Sequence, residues 1–267
     1  MIKGLEHETP EAKNWVYEAL LEHDIPLYYV EGYSVKGDNV TALFERFKST
    51  VKVEEWTETE IAGYLETGGE KNSWEARIAL ANLLDVPLYL VLWQDGREVF
   101  RIFSVSDGKI KVVSSTLFTS CRNMAQWLSN LKGIAVSKGF SEAGRLSFID
   151  ECLRRHGVPW PGNLDGFLFS QATREVKAIV EFSRTRKYPV RSHNLNLYFS
   201  KDINRWKPLD ILGQRLQVPL YIVIWSSDEK IVKLHEVKSV EDDALEFKAT
   251  DILTIDQLVD KFNEVVA

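Results

Sequence analysis

The sequence is short of most features that would identify it at once. Cysteine occurs only twice, as Cys121 and Cys152, at places that do not correspond between the two halves described below. Two such thiols read as reduced side chains of a cytoplasmic protein, not as a disulfide framework. No apolar run approaches the ~20 residues needed to cross a bilayer. The opening Met1-Ile2-Lys3-Gly4-Leu5-Glu6 lacks the apolar centre of a signal peptide. A cytoplasmic protein without membrane contact is therefore expected. Motifs of named chemistry are missing too: there is no phosphate-binding Gly-rich loop, dinucleotide fingerprint, zinc-ligand spacing or nucleophile elbow. Nor is positive charge in excess, since 33 Lys and Arg against 39 Asp and Glu leave a net charge of −6. That argues against a generally basic nucleic-acid coat while leaving room for one basic face.

What the sequence does contain is a repeat. Asn72-Ser73-Trp74 through Val86-Pro87-Leu88-Tyr89-Leu90-Val91-Leu92-Trp93 returns without a gap as Asn204-Arg205-Trp206 through Val218-Pro219-Leu220-Tyr221-Ile222-Val223-Ile224-Trp225. A self-match over one long stretch means two similar folded units. They are placed at residues 1–133 and 134–267, with a Gly-, Ser- and Ala-rich linker at Gly133–Gly144.

Comparing the halves predicts the elements. Apolar residues at helical spacing mark helices over Asn14–His23 and Leu146–His156, each followed by Ile-Pro or Val-Pro. A hairpin follows in each unit, through Gly37-Asp38-Asn39 in the first and Ser170–Arg174 in the second. The repeated stretch reads as a helix (Asn72–Leu84, Asn204–Leu216) and a strand apolar at nearly every position, as expected for a strand covered on both faces. A second hairpin and a closing helix complete each unit. The predicted fold is α/β, two tandem units each with a mixed sheet flanked by helices.

The candidate chemistry is acidic. The second unit offers Glu151 on its leading helix, Asp165 at the start of the hairpin and Glu181 near the end of the return strand. The first offers Glu18, Glu31 and Glu45 at matching places. Two or three carboxylates converging at one end of a sheet can bind a hard divalent cation such as Mg²⁺ or Mn²⁺. Such a metal generates and orients hydroxide at a phosphate. After the hairpin the units differ in charge. Val53–Glu60 is acidic, whereas Arg184-Thr185-Arg186-Lys187-Tyr188-Pro189-Val190-Arg191 is basic with an aromatic residue inside it. A basic run directly after the candidate metal strand suits phosphate contact, although such runs are also common as solvated loops. Trp74 and Trp206 read as core anchors.

Asp165-Gly166-Phe167 followed by Ala178-Ile179-Val180-Glu181-Phe182-Ser183, with Glu151 ahead of them, resembles the PD-(D/E)xK nuclease superfamily. Glu31-Gly32-Tyr33 and Glu45-Arg46-Phe47 resemble it in the first unit. The resemblance implies a restriction-endonuclease-like fold and metal-dependent cleavage of DNA phosphodiesters. Asp165 and Glu181 would be the metal ligands, Glu151 a third ligand or water-orienting group, and Arg184, Arg186, Lys187 and Arg191 the phosphate grip. The motif's lysine is absent: its position holds Ser183 in one unit and Phe47 in the other. Phe47 leaves the first unit without a candidate centre. The alternative reading is a non-catalytic pseudo-nuclease that binds nucleic acid or a protein partner. A scaffold whose units pack together, or a homo-oligomer, is a third.

Overall fold

A computed structural model describes residues 5–7, 14–67, 71–105, 112–132 and 146–267. The expected linker at 133–144 lies outside the described residues. Within them run β1 (Leu5–His7), α1 (Trp15–Glu22), β2 (Leu27–Lys36), β3 (Asn39–Ser49), α2 (Glu58–Thr67), α3 (Lys71–Leu84), β4 (Leu88–Gln94), β5 (Arg97–Val105), β6 (Val112–Phe118) and α4 (Cys121–Leu131). After them come α5 (Phe148–Arg154), β7 (Gly162–Ser170), β8 (Glu175–Arg184), α6 (Phe199–Leu216), β9 (Leu220–Trp225), β10 (Ile231–Val240), β11 (Leu245–Thr254) and α7 (Ile255–Val266). The fold is α/β, as expected. In each unit, among the described residues, the strands form a mixed arrangement of antiparallel and parallel pairs.

Two compact units are present, and they are not the contiguous halves 1–133 and 134–267. One comprises Met1–Thr9 with Val30–Asn163, the other Pro10–Tyr29 with Leu164–Ala267. The halves have exchanged their leading helices. Val16 and Leu20 of α1, with Ile25 and Leu27 behind them, pack into a core with Leu168, Val180, Val223, Leu234 and Phe262. The indole N–H of Trp15 donates to the Ser226 carbonyl at 2.7 Å in that same unit. Reciprocally, Ile149, Cys152 and Leu153 of α5 join Phe44, Val91, Phe100, Met124 and Leu128 in the other core.

Cys152 also meets Cys121 of α4 there, and the two form a disulfide with Cα atoms 5.4 Å apart. The expectation of reduced thiols is corrected. The pairing is invisible when the halves are compared with each other, because both cysteines belong to one unit. The cytoplasmic expectation loses the support it took from free thiols. Among the described residues no helix is long and apolar enough to cross a membrane.

The strands follow one plan in each unit. In the first the order is β2-β3-β4-β5-β6, with β1 against the end of β3; in the second it is β7-β8-β9-β10-β11. An antiparallel hairpin leads into a helical crossover, then a strand parallel to the hairpin's second arm, then an antiparallel meander. The parallel register puts Glu45 opposite Leu90 and Glu181 opposite Ile222. The hairpin register puts Gly32 opposite Phe44 and Gly166 opposite Val180. Glu45 and Glu181 are therefore equivalent, and so are Glu31 and Asp165, each one residue before its glycine.

Four helices end on the same device, and it explains the repeated phrases before proline. Asp24, Asp85 and Gln217 adopt φ of 56°, 56° and 57°, and Gly157 adopts 70°. This left-handed residue lets the next N–H reach back to a carbonyl in the last turn: Ile25 to Leu20, Val86 to Ala81, Val158 to Leu153 and Val218 to Gly213. The helix has closed before proline arrives. Proline then follows, directly before the strand at Pro26, Pro87 and Pro219, and secures the stop.

Candidate functional site

In the second unit β8 carries Glu181 with its side chain 2% exposed. A charge that deep needs a partner, because removal from water costs several kcal/mol unless it is compensated. The partner comes from α6, whose Arg205 pairs with Glu181 Oε1 through Nη2. The same Nη2 lies 3.4 Å from Asp165 Oδ2 and donates to the Phe182 carbonyl at 3.0 Å. The guanidinium is 5.1 Å from the Trp206 ring, a distance suited to cation–π attraction. Asp165 Oδ2 also accepts the backbone N–H of Phe182 at 3.2 Å. Glu181 Oε2 is buried and has no hydrogen-bond partner among the described residues.

The first unit solves the same problem with different residues. Glu45 and Arg77 are both 0% exposed and lie 3.0 Å apart. Arg77 donates to Ser73 Oγ at 2.7 Å and sits 4.6 Å from the Trp74 ring. Glu31, the counterpart of Asp165, is held by Arg46 through Nε at 3.1 Å and the backbone N–H at 2.9 Å. Arg46 reaches on to Asp150 of α5 at 3.1 Å and lies 4.8 Å from the Trp160 ring. Phe47, which stands where the nuclease motif has lysine, packs its ring 5.6 Å from both Trp74 and Tyr64.

Of the residues expected at a metal site, Asp165 and Glu181 do come together, on Arg205. Glu151 does not join them. It is exposed on α5 and belongs to the first unit, while α1 with exposed Glu18 takes its place in the second. Lys177 is no substitute for the missing lysine, since its ammonium pairs with Glu175 at 2.8 Å. Arg184, Arg186, Lys187 and Arg191 are all exposed, as a phosphate grip requires. Arg184 also lies 5.2 Å from the Trp225 ring and donates to Ser227 Oγ at 3.0 Å. The acidic counterpart in the first unit is largely structural: Glu54 pairs with Arg97 at 2.7 Å, and Glu60 accepts the Thr57 N–H at 2.8 Å. The Thr57 hydrogen bonds hold the Glu60 carboxyl below its ordinary range.

Arg46, Arg77 and Arg205 are the residues that sequence comparison missed. Arg205 aligns with Ser73 in the repeat, and Arg77 aligns with Leu209, one helical turn further on. Matching identities passes over both. The available signal was a glutamate inside an otherwise apolar strand, which demands a cation from the helix that covers it.

As arranged, the residues do not fit Mg²⁺ or Mn²⁺. Such an ion takes near-octahedral oxygen ligands and keeps several waters, whereas here a guanidinium already neutralises both carboxylates and the remaining Glu181 oxygen is enclosed. Among the described residues no cluster of three or more His, Cys, Asp or Glu is placed to hold a metal.

No family model matches the chain, and no curated protein does. Its likeness to the solved structure of a sex pheromone staph-cAM373 precursor has a TM-score of 0.19 at 7% identity, over 94% of this chain and 84% of that one. A likeness so slight carries no argument.

Proposed function

We propose that this protein is a non-catalytic relative of PD-(D/E)xK nucleases, built from two restriction-endonuclease-like units, that binds nucleic acid through the basic loop after β8. The observation that carries the reading is Arg205 engaged by both Glu181 and Asp165. An arginine there does the electrostatic work of a cation but cannot ionise a water, so the pair keeps a structural role and loses a hydrolytic one. The order helix, hairpin, crossover helix and parallel strand supports the family resemblance. The exposed cations Arg184, Arg186, Lys187 and Arg191 support contact with a phosphate backbone.

The test pairs two measurements on the purified chain. Plasmid and single-stranded DNA incubated with Mg²⁺ or Mn²⁺ should remain intact. A labelled oligonucleotide should bind at low salt and lose affinity as salt rises, with an affinity-against-salt slope of about −3 for four phosphate contacts on a single strand. Replacing Arg184, Arg186, Lys187 and Arg191 with Ala should abolish that binding. Metal-dependent cleavage lost in Asp165→Asn and Glu181→Gln would overturn the non-catalytic reading. Absence of any binding at low salt would overturn the nucleic-acid reading.

A further inference from the structure

We infer that Tyr188 is a base-stacking platform and that the nucleic acid taken by the basic loop is single-stranded; this rests on the nucleic-acid reading above. The loop is anchored along its length, so its tip is not a floppy tail. Thr185 is 3% exposed, and its N–H donates to the Trp225 carbonyl at 2.8 Å. Its hydroxyl donates to the Tyr188 carbonyl at 2.8 Å and accepts the Tyr188 N–H at 3.4 Å, closing a tight turn. Beyond Pro189, Val190 is fully buried and its N–H donates to Glu229 Oε1 at 2.7 Å. Lys233 then fastens the Arg191 and His193 carbonyls at 3.2 and 2.8 Å.

Against this fixed backbone the Tyr188 side chain stands out, 46% exposed, with the buried His193 ring 6.5 Å behind it. Arg186 and Lys187 precede it and Arg191 follows, all exposed. Of the nearby carboxylates, Glu229 accepts the Val190 N–H and Asp228 accepts from Ser227.

An exposed aromatic ring among cations offers two different contacts. The cations take phosphates of any strand, while the ring takes the face of a base, and a base face is available only where it is not stacked in a duplex. A preorganised turn lowers the ordering cost of that stacking. The arrangement therefore favours single-stranded DNA or RNA over a duplex.

The test uses the whole chain with a labelled oligothymidylate and a duplex of equal length, read by fluorescence anisotropy at low salt. The single strand should bind more tightly. Tyr188→Ala should weaken it at least about fivefold and leave the duplex unchanged, while Tyr188→Phe should stay within about twofold of the parent. A 2-aminopurine placed in the strand should change emission on binding to the parent and not to Tyr188→Ala. Equal affinity for both forms, insensitive to Tyr188→Ala yet lost in Arg186→Ala/Lys187→Ala, would overturn the stacking inference and leave the backbone reading standing. No binding to either form would overturn both.

Discussion

Arg77→Ala should damage the protein more than Arg205→Ala, and in each case the damage should be partly reversed by neutralising the glutamate. Glu45 and Arg77 are both 0% exposed, so removing the guanidinium takes away this ion pair at a carboxylate that water does not reach. Breaking a buried pair in this way costs about 3–5 kcal/mol. Arg205 is 27% exposed over a Glu181 that is 2% exposed, so water can take part of its place. The cost there should be about 2–3 kcal/mol. In Glu45→Gln/Arg77→Ala and Glu181→Gln/Arg205→Ala the buried charge is gone, and each double variant should recover at least about 1 kcal/mol over its arginine single variant. Hydrogen exchange on peptides from β3–β4 and from β8–β9 reads the two units separately; 3 kcal/mol corresponds to roughly a hundredfold faster exchange in the affected unit. Arg77→Ala costing less than about 1 kcal/mol, or no recovery in either double variant, would refute the argument that these arginines exist to neutralise buried carboxylates.

The helix exchange has its own signature. Leu20 and Leu153 are equivalent and each 0% exposed, so Leu→Ala at either should cost about 2–5 kcal/mol. Leu20→Ala should accelerate exchange in β9–β10 and Leu153→Ala in β4–β5; the opposite pattern would show that the leading helices stay with their own halves. A pH effect follows from His235, which is buried on β10, with its ring stacked 4.1 Å from Phe247 and Nδ1 2.7 Å from Thr250 Oγ1. Burial first, then the Lys233 and His193 charges, lower its pKa from 6.5 to about 4. The native state therefore binds this proton less readily than the unfolded chain does. Its contribution is intact above about pH 6.5 and is lost as pH falls toward 4, by up to about 3 kcal/mol. Urea midpoints at pH 7 and pH 5 should differ less in His235→Leu than in the parent, and an unchanged difference would count against the assignment.

The duplication and the order of elements were legible because the two halves repeat turn chemistry as well as apolar spacing. The phrase before each proline reports a closed helix end, and the Trp-to-Trp stretch reports a covering helix and a buried strand. The exchange of α1 and α5 was not legible for the same reason: both helices carry the same apolar stripe, and a repeat cannot say which copy fills which core. The third strands, Val112–Phe118 and Leu245–Thr254, were overlooked. Leu245–Thr254 is exposed at many positions and lacks the clean alternation that marks a half-buried strand. Asp165 and Glu181 were found from sequence, but their partner was not, because Arg205 replaces a serine of the other copy.

The two units compensate one shared feature, a buried glutamate, in different ways. Each places a glutamate on a strand flanked by a parallel neighbour, and each covers it with the helix that bears a buried tryptophan. The helix supplies the compensating cation from one of two places a turn apart, because residues four apart lie on one helical face. In the first unit the arginine comes from the later turn and is sealed, with Phe47 packed against Trp74 beside it. In the second it comes from the earlier turn and remains partly open to solvent, and the strand that holds Glu181 runs directly into the basic loop. In the first unit Glu45 and Arg77 are both fully buried at this place. The open one has a partly exposed guanidinium on a half-buried Asp165 and, a few residues on, the exposed cations that flank Tyr188. On the proposed reading, binding is therefore expected in the second unit, where Glu181 is buried but Arg205 and Asp165 stay partly exposed.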